Sequence, residues 1–204
     1  MAFFKTNVCD ENNVNELLSF CLHQFGRVDG LVNCAGIVIP EKLIDKEGSP
    51  HKLSTFEKTI NVNLVGTFNT SRIIASHMAK HKNESMEDTG VIINTASVAA
   101  FEGQIGQTSY SASKAAIVGM TLPMARELSP FGIRVVTIAP GIFETPMLAS
   151  LPDKVKASLG AQVPFPPRLG KTQEFASLVS HIIENQMLNG ETIRLDGAIR
   201  MGAR

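Results

Sequence analysis

The stretch Gly90-Val91-Ile92-Ile93-Asn94-Thr95-Ala96-Ser97 places a short apolar run directly before a polar end. An apolar run of this length, without alternation, is typical of a strand that is buried on both faces of a parallel sheet. Similar runs predict three more strands, at residues 28–32, 133–138 and 191–195. The opening residues 2–8 also read as a strand that is already under way.

Apolar residues at helical spacing occupy the intervals between these strands. They predict four helices, over residues 12–25, 55–82, 112–128 and 172–184. Strands that alternate with helices indicate an α/β fold, and we expect a Rossmann-like, doubly wound parallel sheet covered on both faces. The polar residues 37–53 contain Pro40, Gly48 and Pro50 and therefore predict a long surface loop.

Some details of these helices can be predicted as well. Gly26 suits the end of the first helix, whereas Thr172 suits the cap of the last helix, with Glu174 in its first turn. Six apolar side chains of the second helix are expected to face the core: Ile60, Leu64, Phe68, Ile73, Ile74 and Met78.

The composition is that of an ordinary globular protein, so we expect a single domain over residues 1–204. Apolar residues make up 44% of the chain, charged residues 19%, and the formal net charge is +0. This neutral balance gives no support for direct binding to nucleic acid or to a membrane surface, and no apolar run reaches the roughly 18 residues of a membrane span. The N-terminus has the pattern of neither a secretory signal nor an arginine-rich transit peptide.

Three cysteines, Cys9, Cys21 and Cys34, are an odd number and lack the spacing of a metal site. Reduced thiols of an intracellular protein are therefore expected, and no metal.

Polar or glycine-rich segments follow three of the predicted strands. They are Asn33-Cys34-Ala35-Gly36, Asn94-Thr95-Ala96-Ser97 and Pro140-Gly141-Ile142-Phe143-Glu144-Thr145. In open parallel sheets, ligands bind beyond the carboxyl ends of the strands, and small residues there allow close approach of the backbone. Each segment taken alone could be an ordinary turn, but three at one sheet edge favour a binding site.

Tyr110, the single tyrosine of the chain, precedes Lys114 by four residues in Tyr110-Ser111-Ala112-Ser113-Lys114. On a helix, this spacing places the phenol and the ammonium side by side. A phenol with a pKa of about 10 is a poor acid or base near neutrality, but a held cation favours its phenolate. The pair could carry proton transfer to or from a carbonyl or hydroxyl group, although such pairs also arise by chance on solvated helices.

Together these motifs resemble the short-chain dehydrogenase/reductase family along essentially the whole chain. The segment 33–36 is similar to the family's Asn-x-Ala-Gly strand end, and Asn61-Val62-Asn63-Leu64-Val65-Gly66 to its helix asparagine. Ser97, thirteen residues before Tyr110, and the Tyr110-x-x-x-Lys114 pattern resemble its catalytic signature. Pro140-Gly141 followed by Thr145 resembles its nicotinamide-side loop.

Three longer segments resemble one branch of that family, the 3-hydroxyacyl-CoA dehydrogenases of type 2, also called 17β-hydroxysteroid dehydrogenases of type 10. They are the segments 90–104, 163–166 and 189–201. This resemblance implies an NAD-dependent oxidoreductase that interconverts a secondary alcohol and a ketone. Its substrates would be 3-hydroxyacyl-CoA, in the degradation of fatty acids and branched-chain amino acids, and hydroxysteroids. A mitochondrial location and a homotetramer are implied as well.

The resemblance also implies roles for individual residues. Tyr110 would be the acid/base, and Lys114 would lower its pKa while binding the nicotinamide ribose. Ser97 would hydrogen-bond the substrate oxygen, and Asn63 would kink its helix and hold a water that links Lys114 to solvent. The residues implied to bind NAD are Asn7, Val8, Asn33, Cys34, Ala35, Gly36, Thr95, Tyr110, Lys114, Pro140, Gly141, Phe143 and Thr145. For Cys34, the role of a small buried hydrophobic residue is an equal alternative.

One hallmark of the family does not occur in these 204 residues. No Gly-x-x-x-Gly-x-Gly pattern precedes Asn33, and the acidic residue that selects NAD at the end of the family's second strand has no counterpart. That glycine turn places backbone amides and a helix N-terminus at the cofactor pyrophosphate. We therefore expect the fold without its first two strands, truncated at the N-terminus, with the segment 3–8 as the third strand.

Two alternatives remain open at this point. A 3-oxoacyl-carrier-protein reductase would share every catalytic residue, although the 37–53 loop and the Ala99–Gln104 segment favour the acyl-CoA branch. A catalytically silent scaffold is the second alternative, because the resemblance also implies a subunit of mitochondrial tRNA processing that binds a tRNA methyltransferase. The C-terminal segment 195–204, apolar around Ile199 and Met201, is expected to pack against another subunit, or else to be a loose tail.

Overall fold

A parallel four-stranded sheet forms the centre of the protein in the computed structural model, which describes residues 1–82, 88–145 and 152–203. The strands are β1 (Gly30–Asn33), β2 (Gly90–Thr95), β3 (Ile133–Pro140) and β4 (Thr192–Leu195), in the order β1-β2-β3-β4. All three pairings are parallel. The sheet confirms the predicted α/β architecture and, within a few residues, the four predicted strands.

The two central strands, β2 and β3, are buried along nearly their whole length. Their apolar side chains pack against helices on both faces, with Ile92 and Val135 in one core cluster and Ile93 and Val136 in another. This burial explains the uninterrupted apolar runs in the sequence, because neither face of these strands meets water.

The helices lie between the strands in the sequence, as predicted. They are α1 (Glu11–Phe25), α2 (Leu53–Ile60), α3 (Gly66–Lys80), α4 (Thr108–Leu128), α5 (Asp153–Gly160) and α6 (Thr172–Glu184), with short 3₁₀ turns at Val98–Ala100 and Ser129–Phe131. Gly26 ends α1 with φ of 80°, a left-handed conformation that suits glycine. None of the described helices combines the length and the apolar character needed to cross a membrane.

The single helix predicted over residues 55–82 is instead two α-helices joined by a π-helical segment, Asn61–Val65. Of the side chains predicted to face inward, Ile73, Ile74 and Met78 are buried. Phe68 is 49% exposed, so its prediction was wrong. The buried face of α3 also contains polar residues, among them Thr67, Asn69, Thr70 and Ser71, which an apolar pattern cannot identify.

The N-terminal segment 2–8 is not a strand, which corrects the prediction. A strand needs the backbone of a neighbouring strand, and none of the described strands lies beside this segment. Its residues contact helices instead. The Phe4 ring lies 5.1 Å from the Phe20 ring of α1, and the Asn69 amide of α3 donates to the Val8 carbonyl oxygen at 2.9 Å.

Two further details differ from the predictions. The residue at the cap of α6 is Lys171, and Thr172 is already helical, while Glu174 accepts a hydrogen bond from the Lys171 amide at 2.7 Å. In the C-terminal segment, Ile199 is 1% exposed within this chain, so its side chain is not a surface for another subunit. Met201 is partly exposed.

Candidate active site

Ser97, Tyr110 and Lys114 come together at the carboxyl end of β2. Helix α4 carries Tyr110 and Lys114 one turn apart, and the Lys114 Nζ lies 5.7 Å from the centre of the Tyr110 ring. Ser97 lies close to the Tyr110 phenol, and its hydroxyl favours the phenolate, which acts to lower the pKa of Tyr110. Lys114 is 5% exposed and donates to the Thr95 carbonyl oxygen at 2.7 Å. The helical spacing seen in the sequence therefore produces one cluster.

Burial controls the ionisation of both titrating groups in this cluster. Burial raises the pKa of Tyr110 above its usual value, and the hydrogen bond from Ser97 opposes this effect. Burial likewise lowers the pKa of Lys114 to about 8, and the nearby Cys34 opposes this effect. In the protein alone, desolvation of the phenolate dominates the pKa of Tyr110. The lowering of that pKa by Lys114 stays a prediction.

Asn63 ties three parts of the site together from within the π-helical segment. Its Oδ1 accepts from the Ile37 amide at 2.8 Å, and its Nδ2 donates to the Ile37 carbonyl at 2.9 Å. The same Nδ2 donates to Ser113 Oγ at 3.0 Å, and that hydroxyl donates to the Tyr110 carbonyl at 2.7 Å. The loop after β1 is therefore fixed relative to α4. π-Helical segments are often found at functional sites.

Asn33 lies at the end of β1 in a buried hydrogen-bond network. It is in register with Asn94 of β2, and its amide donates to the Asn94 Oδ1 at 2.9 Å and to Ser71 Oγ at 3.0 Å. Its own Oδ1 accepts from Thr70 at 2.7 Å. The network joins the ends of two strands to α3 and so supports the loop that follows Asn33.

Cys34, Ala35 and Gly36 are exposed and border the Lys114 cluster. Cys34 Sγ lies 3.7 Å from Thr95 Oγ1. A side chain at Gly36 would have its Cβ 3.6 Å from the Lys114 Nζ, so glycine leaves the approach to that amine open. The exposure of Cys34 rules out the alternative of a small buried residue at this position.

The loop that runs from Pro140 to Thr145 packs against a different part of the protein. The Gly141 amide donates to the Leu195 carbonyl at 2.9 Å, and the Phe143 ring lies against Gly170, where a Cβ would approach it to 2.7 Å. Thr145 is partly exposed. Loop and cluster both follow the carboxyl ends of strands, at the edge where the sequence predicted a ligand.

Asn7 and Val8 contact residues outside the cluster of Ser97, Tyr110 and Lys114. Asn7 is exposed and accepts a hydrogen bond from the Cys9 amide at 3.1 Å, while Val8 packs against Gly66 of α3. Val8 therefore packs against a helix, and the predicted contact of Asn7 and Val8 with a cofactor stays a prediction.

Two functional contacts were not foreseen from the sequence. The Thr95 carbonyl accepts the Lys114 hydrogen bond, and Ser113 links Asn63 to the backbone of α4. The position of Ser113 between Tyr110 and Lys114 was the available signal, since a residue three after Tyr110 lies close to its carbonyl on a helix. No group of three or more potential metal ligands occurs in residues 1–82, 88–145 and 152–203.

The low pKa of Lys114 predicts a stability that depends on pH. The unfolded lysine has a pKa of 10.5 and the folded one about 8, so between these values the unfolded chain binds more protons and stability rises with pH. From pH 7 to pH 10, we expect the free energy of unfolding to rise by about 2 kcal/mol more than in Lys114→Met. Urea unfolding of both proteins across this range measures the difference, and parallel pH profiles would contradict it.

Asn63→Ala should destabilise the protein by about 2–4 kcal/mol, because it leaves the partly buried amide and carbonyl of Ile37 without their partner and removes the bond to Ser113. Asn61→Ala is the matched control, since Asn61 is exposed in the same π-helical segment. That control should change stability by less than about 0.5 kcal/mol. Chemical denaturation measures both, and equal losses would show that Asn63 has no special bridging role.

Comparisons with known proteins agree with this geometry. A family model described as short chain dehydrogenase matches residues 1–156. The 3-hydroxyacyl-CoA dehydrogenase type-2 of Bos taurus is 57% identical over 201 residues, covering 98% of this chain and 77% of the bovine protein. The 3-oxoacyl-[acyl-carrier-protein] reductase FabG of Thermotoga maritima is 36% identical over 195 residues, covering 95% of this chain and 74% of the reductase.

Solved structures give the same result. The crystal structure of 3-hydroxyacyl-CoA dehydrogenase type-2 from Mycobacterium avium has a TM-score of 0.92 at 40% identity, covering 98% of this chain and 77% of that one. The structure of ElxO with NADP bound has a TM-score of 0.83 at 30% identity, covering 96% and 77%. The chain therefore belongs to the short-chain dehydrogenase family of oxidoreductases, and nearly its whole length is similar to 3-hydroxyacyl-CoA dehydrogenase type-2.

Proposed function

We propose that these residues form the catalytic part of an NAD-dependent enzyme that interconverts 3-hydroxyacyl-CoA and 3-oxoacyl-CoA. The observation that carries the proposal is the cluster of Tyr110 with the buried Ser97 and Lys114, in a chain that is 57% identical to a 3-hydroxyacyl-CoA dehydrogenase type-2. Related substrates such as hydroxysteroids are included in the proposal, because the reacting group is the same secondary alcohol.

In this mechanism, the substrate oxygen lies between Ser97 and Tyr110. The Ser97 hydroxyl donates a hydrogen bond to it and fixes its position. In the reductive direction, Tyr110 donates its proton to the developing alkoxide, and its raised pKa means that the phenol still holds this proton at neutral pH. In the oxidative direction, the phenolate accepts the alcohol proton, and the Lys114 ammonium stabilises that charge. A nicotinamide cofactor, when bound, supplies or accepts the hydride.

The residues around Lys114 suit such a cofactor. Gly36 leaves the Lys114 amine open to a ligand, and the exposed segment 34–36 offers backbone groups beside it. Within the described part of the chain, the buried Lys114 amine donates to one partner, the Thr95 carbonyl. It therefore retains donor capacity for ribose hydroxyls. We propose NAD on the similarity to the type-2 dehydrogenases, whereas the neighbour ElxO has NADP bound.

A reductase acting on acyl-carrier-protein substrates is the second candidate, supported by the 36% identity to FabG of Thermotoga maritima. The test is the absorbance of NADH in the presence of acetoacetyl-CoA or acetoacetyl-acyl-carrier-protein. It uses the 204-residue chain and, in parallel, an extended form in which the first two strands of this family, with their glycine-rich turn and helices, precede residue 1. Faster oxidation of NADH with acetoacetyl-CoA supports the proposal, and preference for the carrier protein supports the reductase.

Catalytic silence of both forms, together with binding of a tRNA methyltransferase, would favour the scaffold function instead. A mitochondrial location is part of the proposal, on the similarity to the type-2 dehydrogenases. Fractionation of cells that express the full gene would test the location.

We also propose a homotetramer. Three apolar side chains on neighbouring helical segments are exposed in the single chain: Val65 at 43%, Phe68 at 49% and Leu122 at 45%. Exposed apolar side chains of this kind favour burial against another subunit. Light scattering of the extended form should give four times the mass of one chain, and Phe68→Lys should lower it. A monomeric mass before substitution would contradict the tetramer.

A further inference from the structure

Arg194 of β4 is the centre of a cluster of ion pairs. Its guanidinium donates to both carboxylate oxygens of Glu102, at 2.7 and 2.9 Å, and its Nε donates to Asp196 at 2.8 Å. A further hydrogen bond of 3.0 Å reaches the Ile199 carbonyl, and the guanidinium lies 5.2 Å from the centre of the Phe101 ring. The side chains of Arg194, Glu102 and Asp196 are 22%, 25% and 8% exposed. The cluster is thus mostly shielded from water.

Glu102 lies in the segment 98–107, which connects Ser97 to the helix that carries Tyr110. The segment begins with the 3₁₀ turn Val98–Ala100, which Ser97 caps by accepting from the Ala99 amide at 3.1 Å. A displacement of this segment would therefore move the Ser97 hydroxyl relative to Tyr110.

The C-terminal segment adds further bonds to the same connection. The Gln104 side-chain amide donates to the Gly202 carbonyl at 3.3 Å, and the Ile105 backbone amide donates to the Ala203 carbonyl at 3.0 Å. Arg200 lies 3.5 Å from Glu102. The segment 98–107 is therefore held by β4 and by the residues that follow it.

Asp196, the second partner of Arg194, lies against the loop that runs from Pro140 to Thr145. A Cβ built on Gly141 would lie 3.0 Å from both the Cα and the Cβ of Asp196. The Gly141 amide also donates to the Leu195 carbonyl at 2.9 Å. Arg194 thus joins two segments that both follow the carboxyl ends of strands.

We propose that Arg194 is a positioning residue, which through Glu102 holds the segment that carries Ser97, and through Asp196 holds the loop of residues 140–145. One side chain would then set the placement of the proton-transfer groups relative to the loop on the cofactor side. The proposal rests on the proposed function, because that function gives Ser97 and Tyr110 their roles. The cluster itself contacts no reacting atom.

The chemistry of Arg194 suits this task. A bidentate arginine–carboxylate pair fixes both distance and orientation, whereas a lysine ammonium can hold only a point contact. Partial burial strengthens these hydrogen bonds. The pKa of Glu102 is lowered, chiefly by its hydrogen bonds with Arg194, so the carboxylate stays charged at neutral pH.

The test uses Tyr110 as its own reporter, in the 204-residue chain without cofactor. The chain has one tyrosine and no tryptophan, so absorbance near 295 nm follows the ionisation of Tyr110 alone. In Glu102→Gln, we expect the segment 98–107 to loosen and to admit water to Tyr110. Because burial is what raises the pKa of Tyr110, this water should lower that pKa toward 10. We expect a fall of at least about 0.5 pKa unit. Ser97→Ala removes only the opposing hydrogen bond and should move the pKa upward.

Amide hydrogen exchange is the second readout. We expect peptides covering residues 98–107 to exchange about tenfold faster in Glu102→Gln, because a charge-assisted hydrogen bond is lost. Asp88→Asn is the matched control. It makes the same change in another carboxylate paired with an arginine, Arg134, at the opposite end of the sheet. That control should leave both the titration of Tyr110 and the exchange of residues 98–107 unchanged.

Arg194→Lys provides an independent variant, which keeps the charge but not the bidentate contact. It should give a shift of the same direction as Glu102→Gln and smaller size. An unchanged Tyr110 titration in a folded Glu102→Gln or Arg194→Lys protein would overturn the proposal. So would equal shifts in Asp88→Asn, since these would indicate general loosening. Neither readout depends on turnover, so a failure of the proposed function would be recognised separately in the NADH assay.

Discussion

Tyr110→Phe should lower the turnover of acetoacetyl-CoA by about 10²–10⁴-fold in the extended form, which is the usual cost of removing a positioned acid or base. The Tyr110 phenol is the proton donor of the proposed mechanism, and it lies beside Ser97 and Lys114. Steady-state rates of NADH oxidation measure the effect. Because the change removes a single oxygen, we expect the Michaelis constant for NADH to change little.

The control for this prediction is a measurement of whether Tyr110→Phe keeps the fold of the parent protein. Phenylalanine keeps the ring that lies beside Lys114, so the circular dichroism spectrum and the thermal midpoint should match those of the parent protein. Ser97→Ala provides a comparison within the site, since it removes a hydrogen bond to the substrate but no proton. Its turnover should fall less than that of Tyr110→Phe. Turnover near the parent value in Tyr110→Phe would refute the role assigned to Tyr110.

The fold was predictable where the decisive interactions are local. The uninterrupted apolar run of β2 indicated a doubly buried strand, and Gly26 indicated the end of α1, because both patterns depend on the chain's own geometry. The segment 2–8 was mispredicted because a strand also needs a neighbour from elsewhere in the chain. Its apolar residues found the surfaces of α1 and α3 instead.

Phe68 shows a second limit of local patterns. A regular period of 3.6 residues per turn placed it inward, but the π-helical segment Asn61–Val65 precedes it and changes the phase of the helix. Buried threonines and asparagines then occupy part of the face that apolar residues were expected to fill. Asn33 hydrogen-bonds to the buried Thr70 and Ser71 of this face and also to Asn94. Only the register of two strands brings Asn33 and Asn94 into contact.

The contact between Tyr110 and Lys114 was predictable from the sequence, whereas the electrostatics of the candidate site were not. The spacing of Tyr110 and Lys114 fixed their adjacency, since it follows from helix geometry alone. Burial cannot be read from a motif, however, and it raises the pKa of Tyr110 in the protein alone. The bond of Lys114 to the Thr95 carbonyl depends on the end of β2 reaching α4, which is a tertiary contact.

The 204-residue chain should bind NADH weakly or not at all. Lys114 and the segment 34–36 could hold part of the cofactor, but these residues contain no glycine turn whose amides would bind the pyrophosphate. A hydrogen bond to a charged group is worth roughly 1.5–3 kcal/mol, so the loss of two or three weakens binding by about a thousandfold or more. The edge of β1, where Val32 is 39% exposed, also favours self-association.

Isothermal titration of the soluble 204-residue chain with NADH measures this affinity, and the extended form is the matched comparison. We expect heat of binding at micromolar concentration for the extended form alone. Lys114→Met in the extended form should then weaken binding, because the amine beside Gly36 would no longer reach the ribose. Micromolar binding at one site per chain without the added unit would show that the amides of the glycine turn are dispensable. In that case, the exposed segment 34–36 and Lys114 would have to provide most of the binding free energy.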